Sequence, residues 1–516
     1  IMNTKSNFLP IYFALCCALF LLSGCNKEVL PIVQTSGGTI EGYKTEDVFV
    51  FKGIPYAESE RFMPSVPTSW DGVKQCKEYG SWAKQAERDG RSSEDGNFLL
   101  NIFTKGLNDE EKRPIMMWIH GGGFASGSAN ADPTEGVHLA QKDVVLVSIN
   151  HRLDVLGFLD LSDFGGKWEQ TVNVGMIDII NALKWTKENA ETFGGDPENI
   201  TIFGESGGGG KVGTLLCMPE AKGLFQKAII ESGAKVNITT SEVSKQLGKN
   251  VVAELGLTAD NLDEIQKIDF DTLLKVSKKC QAEILGPRTP GSIKMWGYCP
   301  TNDGKTLLQQ PYTPEFSELA KDIPVMIGTT FNELERKVYN DSTFNHEKAE
   351  DMLKQIYGDE AEAFKTAFHE AFPEGSEADM VGIDSNIRAL SLATADAQSC
   401  KEGQAPIYVY LLTWVSDFDT EGSGCYHSLD IPLAFNNPYD ERYQVGENNP
   451  KAEVMANIMS DMWVSFARNG KPSAKDVEEW VPYTKENRAT MILDNKCGMK
   501  YHFDDSLQEI LYKRLK

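Results

Sequence analysis

Short apolar runs recur along the chain at residues 115–119, 144–149, 200–203, 228–230, 324–328 and 407–412, with helix-like segments between them. Strands that alternate with helices in this way predict a mostly parallel sheet covered by helices, an α/β fold. Two further stretches, 241–279 and 346–370, mix charged and apolar residues at intervals of three and four, with Leu247, Val251 and Leu255 in the first and Met352 and Ile356 in the second. That period predicts helices on the outside of the sheet or over its top. No internal repeat or low-complexity linker interrupts the pattern, so residues 31–516 read as one large domain.

Ahead of that domain the pattern changes. Residues 11–22 are apolar throughout, behind ten residues that carry one positive charge, Lys5. The run is too short for a permanent membrane span and reads as an export signal over 1–24, followed by a short tether at 25–30. It ends Leu22-Ser23-Gly24-Cys25, which resembles the lipobox of bacterial lipoproteins, where cleavage leaves the cysteine at the mature N-terminus for lipid attachment. The expectation is an exported protein held to a membrane through lipid on Cys25, on the periplasmic side or at the cell surface. An ordinary signal with an incidental cysteine is the plainer alternative.

Charge and cysteines narrow the function further. Lys and Arg number 51 against 75 Asp and Glu, a formal charge of −24, which repels nucleic acid. Of ten cysteines, Cys16 and Cys17 would leave with the signal and Cys25 would carry lipid. Seven remain: Cys76, Cys217, Cys280, Cys299, Cys400, Cys425 and Cys497. An odd number cannot all pair within the chain, and Cys280 with Cys299 is one admissible loop. No C-x-x-C and no His/Cys cluster suggests a structural metal, and no cofactor is called for.

The stretch NITIFGESGGGGKVGTLL, residues 199–216, has two readings. A phosphate loop of the Walker type would need glycine at 205 and serine or threonine at 212, where the chain has Glu205 and Val212. The alternative is Gly204-Glu205-Ser206-Gly207-Gly208, a G-x-S-x-G between a β-branched run and an apolar helix-like run. In that context a serine sits on a sharp strand-to-helix turn with its hydroxyl exposed as a nucleophile.

A serine hydroxyl needs a base within reach and a third group to orient that base. On a sheet of this kind the order is serine, acid, histidine, which removes His120, His138 and His151. His346 and His369 sit in charged helix-like stretches. His427, in GSGCYHSLDIPLAF, is the strongest base, because a glycine-rich loop opens just before an apolar stretch; His502 is second. For the acid, the run 323–328 stops and Glu333 follows, with Glu335 its close competitor. Asp303, in TNDGKT, reads as a turn residue. Backbone donors for the developing oxyanion would come from Trp118-Ile119-His120-Gly121-Gly122-Gly123-Phe124, an HGGG-type loop after a strand.

The chain resembles the type-B carboxylesterases, the α/β-hydrolase group that includes cholinesterases and bacterial para-nitrobenzyl esterases. The likeness runs from about residue 34 to 515 and rests on FKGIPYA (51–57), RFMPSVPTSWDGV (61–73), SED (93–95), MMWIHGGGFASGS (116–128), NHRLDVLGFL (150–159) and NVGMIDIINALKWTKENAETFGGDPENITIFGESGGG (173–209). It implies an α/β-hydrolase fold, with Ser206, Glu333 and His427 as nucleophile, acid and base. Gly122, Gly123 and Gly207 follow as oxyanion-hole donors, and Arg61 would pair with Glu94. The chain departs from the family at Gly207, where alanine is usual. It departs again at Ala83 and Gly96, which match the two cysteines that close an early loop in cholinesterases. No aromatic residue matches the one that holds choline, so cholinesterase specificity does not carry over. The expected activity is hydrolysis of a small-molecule carboxylic ester through an acyl-enzyme. An acetyl or feruloyl esterase on polysaccharide, or a lipase, would share that chemistry, and a non-catalytic interaction protein of the same fold is the rival from another class.

Overall fold

The computed structural model describes residues 30–514 apart from 87–89, 131, 235–237, 287–296, 310–311, 313–314, 334–337, 385, 419–421 and 440–448. The export signal, Cys25 and most of the tether lie outside the described residues, as does Glu335.

Among the described residues, eleven strands build the central sheet. In chain order they are β1 (Tyr43–Thr45), β2 (Val48–Pro55), β3 (Leu99–Thr104), β4 (Arg113–Ile119), β5 (Val145–Ile149) and β6 (Gly195–Glu205). Then come β7 (Lys227–Glu231), β8 (Val325–Thr330), β9 (Ile407–Leu412), β10 (Thr490–Leu493) and β11 (Gly498–Lys500). They lie side by side as β11-β10-β9-β8-β7-β6-β4-β5-β3-β2-β1. From β5 through β4 and β6 to β10 the pairing is parallel. The edges, β1 to β3 on one side and β11 on the other, pair antiparallel.

Parallel strands covered on both faces are apolar on both faces, which is why they stood out as continuous runs. In β4, Ile115, Met117 and Ile119 enter the core on one side and Met116 and Trp118 the core on the other. The first core takes in α1 (Val174–Asn189) through Met176, Ile179, Ile180 and Leu183. After β6 comes α2 (Gly207–Leu215). The predicted 241–279 stretch divides into α3 (Ser241–Glu254), a 3₁₀ turn at Ala259–Lys267 and α4 (Phe270–Leu285), whose N-cap Asp269 accepts the Thr272 N–H at 2.9 Å. The 346–370 stretch becomes α5 (His346–Tyr357) and α6 (Ala361–Ala371), broken at Gly358, whose φ of 58° ends a helix. On α5 the buried positions are Ala349 and Leu353, while Ile356, expected in the apolar stripe, is exposed. The second core is closed by α7 (Pro450–Asn469), with Met455, Met459, Trp463 and Phe466 facing inward. Asn449 caps it by accepting from the N–H groups of Lys451 and Ala452.

The order of strands places the site. After β4 the chain moves to β5 on one side, and after β6 it moves to β7 on the other, so the carboxyl ends of β4 and β6 are neighbours from which the chain departs in opposite directions. Crevices in open α/β sheets form at such a switch point. Here α2 passes very close to the end of β4: a Cβ on Gly208 would lie 2.0 Å from the Ile119 carbonyl oxygen. Gly208→Ala must therefore push α2 and β4 apart, and we expect it to lower unfolding stability by about 3 kcal/mol. Denaturant unfolding beside the native chain checks this, and an unchanged midpoint would show that the approach is looser than described.

Candidate active site

Ser206 stands between β6 and α2 with φ 55° and ψ −120°. A non-glycine residue avoids that region unless its surroundings hold it there. They do: its N–H donates to the Glu231 carbonyl at the end of β7 (2.8 Å), and its own carbonyl accepts from Gly210 N–H in α2 (3.0 Å). The next residue, Gly207, departs from the alanine usual in type-B carboxylesterases. A Cβ there would lie 2.0 Å from the Gly123 carbonyl oxygen, so the glycine lets the loop after β4 come closer than a methyl group would.

That loop, His120 to Gly123, turns at once on leaving β4, with φ of 84° at Gly122 and 64° at Gly123. Its carbonyls are tied in succession. His120 O accepts from Lys211 Nζ (2.9 Å), Gly121 O pairs with His120 Nδ1 (2.9 Å), and Gly122 O accepts from Ser126 N–H (3.1 Å). Farther on, Gln85 grips Gly127 from both sides, accepting from its N–H at 3.0 Å and donating to its carbonyl at 2.9 Å.

Glu333 and His427 lie 94 residues apart in the chain and are stitched together by the backbone. Asn332 N–H donates to Cys425 O and His427 N–H to Glu333 O, both at 2.9 Å, and Asn332 forms a bridge with Tyr426. The Glu333 carboxylate is fully buried; one oxygen accepts Thr330 N–H at 2.9 Å and the other is hydrogen-bonded to His427 Nδ1. With Nδ1 thus committed, Nε2 points to the Ser206 turn, 3.1 Å from Oε1 of Glu205, the residue before that serine. That oxygen also accepts from Ser428 Oγ at 2.7 Å.

More carboxylates stand near the ring than its motif disclosed: Glu205 and Asp430 act on it, and Glu231 adjoins those two. Glu205, Glu231 and Asp430 are all buried. Burial pushes each of their pKa values up: Glu205 above its ordinary value, Glu231 well above, and Asp430, beside Glu205 and Glu333, to about 8. Trp463 Nε1 donates to Glu231 at 2.6 Å and Tyr410 OH to Asp430 at 3.0 Å. Burial alone would lower the pKa of His427, but Glu205 and then Glu333 outweigh it and hold the ring above the ordinary histidine value. Glu205 occupies the variable position of the serine motif and Glu231 ends an apolar strand. Asp430 follows the histidine by three residues, so proximity to His427 was the only signal for it.

The other candidates lie elsewhere. His502 is on the surface, with Nδ1 2.7 Å from Asp505 and Nε2 2.8 Å from Glu486 O. Asp303 accepts the N–H groups of Lys305, Thr306 and Leu307, a turn residue as read. His346 is on an exposed helix face against Glu377. Arg61 Nε reaches both oxygens of Glu94, at 3.0 and 2.9 Å. Where cholinesterases have a disulfide, the strand Trp82–Ala83 pairs with Ser92–Ser93, and a Cβ on Gly96 would strike Trp82 O at 2.2 Å. The admissible Cys280–Cys299 bridge is not formed: Cys299 Sγ lies 2.9 Å from Thr239 Oγ1 instead. Among the described residues no group of His, Cys, Asp and Glu could hold a metal ion, and no helix is long and apolar enough to cross a membrane.

Comparison with known proteins identifies the family and the fold. The model of the carboxylesterase family matches residues 29–509. The para-nitrobenzyl esterase of Bacillus subtilis (strain 168) is 33% identical over 485 residues, covering 91% of this chain and 96% of its own. The fumonisin B1 esterase of Sphingopyxis macrogoltabida is 28% identical over 486 residues, covering 87% of this chain and 83% of its own. Among solved structures, an esterase from anaerobic Clostridium hathewayi that can hydrolyse aliphatic aromatic polyesters superposes with a TM-score of 0.83 at 31% identity, covering 95% of this chain and 99% of that one. A para-nitrobenzyl esterase structure gives 0.77 at 30% identity, covering 94% and 100%. The fold is that of the α/β-hydrolases, the activity is carboxylic ester hydrolysis, and the chain belongs to the carboxylesterase family.

Proposed function

We propose that ester hydrolysis runs through an acyl-enzyme on Ser206. His427 takes the hydroxyl proton as Ser206 Oγ attacks the carbonyl carbon, and Glu333 holds the ring with Nδ1 as donor and Nε2 as acceptor. The N–H groups of Gly122, Gly123 and Gly207 receive the oxyanion, with the N-terminus of α2 adding its positive end. The alcohol leaves with the proton from His427. Water, deprotonated by the same ring, then attacks the acyl carbonyl and releases the acid and Ser206. The observation that carries this reading is the Glu333–His427 pair, brought from two separate loops to the turn that holds Ser206 at positive φ.

One arm of the ester is proposed to lie in a cavity of about 540 Å³ beside the glycine loop, walled by Trp82, Gln85, Ser126, Gly127, Asp154 and Lys278. We propose also that the protein is exported and anchored through Cys25, a reading supported by the apolar run and the Ser-Gly-Cys that ends it. Replacing Cys25 by serine should then move the protein from the membrane fraction to the soluble fraction, and an unchanged distribution would discard the anchor.

Hydrolysis of para-nitrophenyl esters of increasing acyl length is the direct test, run beside Ser206→Ala. The variant should lose about 10⁶-fold in kcat; a variant as active as the native chain would eliminate Ser206 as nucleophile. The pH profile tests the base. Catalysis needs neutral His427, and carboxylates that raise its pKa extend the protonated form to higher pH. The acid limb of kcat/KM should therefore lie above the histidine reference of about 6.5. Removing the largest raising charge with Glu205→Gln should move that limb down by roughly one pH unit. A limb that stays in place would mean that Glu205 does not govern the proton on His427.

A further inference from the structure

Lys211 entered the sequence reading only as the lysine of a phosphate loop that the spacing excluded. In the structure it is fully buried, in the second turn of α2, five residues beyond Ser206. Its Nζ donates to the His120 carbonyl at 2.9 Å and stands 5.4 Å from the centre of the Phe124 ring, so it meets the glycine loop at its first residue and lies near the residue that follows it. At the next residue of the loop, a Cβ on Gly121 would lie 2.9 Å from Glu205 Oε2. The start of the loop thus meets a buried amine at the His120 carbonyl and a buried carboxylate beside Gly121.

The surroundings argue against a lysine kept only to fill space. Burying an ammonium costs far more than burying a methionine of similar length, and burial draws the pKa of Lys211 down to about 7 although Glu205 pulls it up. The group donates to His120 O whether protonated or neutral, so the tie survives either state. Two buried histidines complete the cluster, His120 and His151, with stacked rings 5.0 Å apart. Each has Nδ1 2.9 Å from a carbonyl oxygen, Gly121 O and Arg152 O respectively, so Nδ1 carries the hydrogen and Nε2 a lone pair. Burial in the first place, and Lys211 in the second, hold both rings well below the ordinary histidine pKa, which keeps them neutral.

We infer that Lys211 is a positioning residue for the oxyanion hole: by fixing the His120 carbonyl it sets the plane of the His120–Gly121 peptide and, through it, the direction of the Gly122 and Gly123 N–H groups. The peptide is planar and trans, so a carbonyl pinned toward Lys211 turns the Gly121 N–H the opposite way, and the next two residues start from a fixed frame. Donors set in advance stabilise the oxyanion without reorganising when it forms. This rests on the acyl-enzyme reading above.

The test is Lys211→Met, which keeps the length and removes the donor, compared with the native chain and Ser206→Ala on one para-nitrophenyl ester. We expect kcat to fall about 10- to 100-fold with KM changed by less than about threefold. A trifluoromethyl ketone, whose hemiketal with the serine carries an oxyanion, should bind more weakly by the same factor as kcat. A kcat within twofold of native in a folded variant would overturn the inference, and so would a fall in kcat with unchanged affinity for the ketone. If Lys211→Met does not fold, Lys211→Leu, which also removes the donor, is read in its place by the same criteria; failure of both to fold assigns Lys211 to the core and also overturns it. An active Ser206→Ala would instead defeat the acyl-enzyme reading, whatever the Lys211 variants do.

Discussion

The parallel pairing of β4 with β6 is the constraint on which the site depends. It puts the last residue of one strand, Ile119, beside the turn that follows the other, so that a glycine loop and a strained serine share one rim. Neither segment would hold its conformation alone. Ser206 keeps its positive φ because β7 accepts its N–H and α2 caps its carbonyl, and the glycine loop keeps its course because Lys211 of α2 holds the His120 carbonyl and Gln85 of the early loop holds Gly127 just beyond it. Rigid strands fix the position of each part to a fraction of an ångström, which loops on their own do not achieve.

Electrostatics at this rim differ from those of a single acid behind a single base. Glu205, Glu333 and Asp430 act on one imidazole, and Glu231 adjoins Glu205 and Asp430, in a protein that already carries a formal charge of −24. Four full charges there would be costly, and burial keeps protons on part of the set, with Asp430 pushed up to about 8 and Glu231 well above its ordinary value. The hydroxyl of Ser428 donates to Glu205 and the indole of Trp463 to Glu231. His427 thus works in a field set by several carboxylates, and its affinity for a proton reflects all of them.

Much of this architecture is legible from the chain because the physics that builds it leaves a mark on residue order. The interior strands are apolar on both faces, so they appear as unbroken runs. The antiparallel strand β3 does not: Asn101 interrupts LLNIFT, although that side chain is buried and satisfied by Ser148, Asn130 and the Gly53 N–H. The serine turn, the glycine loop and the Glu333 and His427 segments were legible as motifs because each needs particular small or polar residues. Glu205, Glu231 and Lys211 were not. A charged residue in a sequence is ordinarily a solvated one, and only the packing of α2 against β4 and β7 shows that these three are enclosed.

The early loop at Ala83 and Gly96 carries one more consequence. Where related enzymes close it with a covalent bridge, this chain uses a two-residue strand pair and the Arg61–Glu94 contact, and the described cysteines form no disulfide anywhere. Thiol–disulfide exchange therefore has nothing to break among the described residues, and the shape of the rim does not depend on the redox potential of the compartment around it.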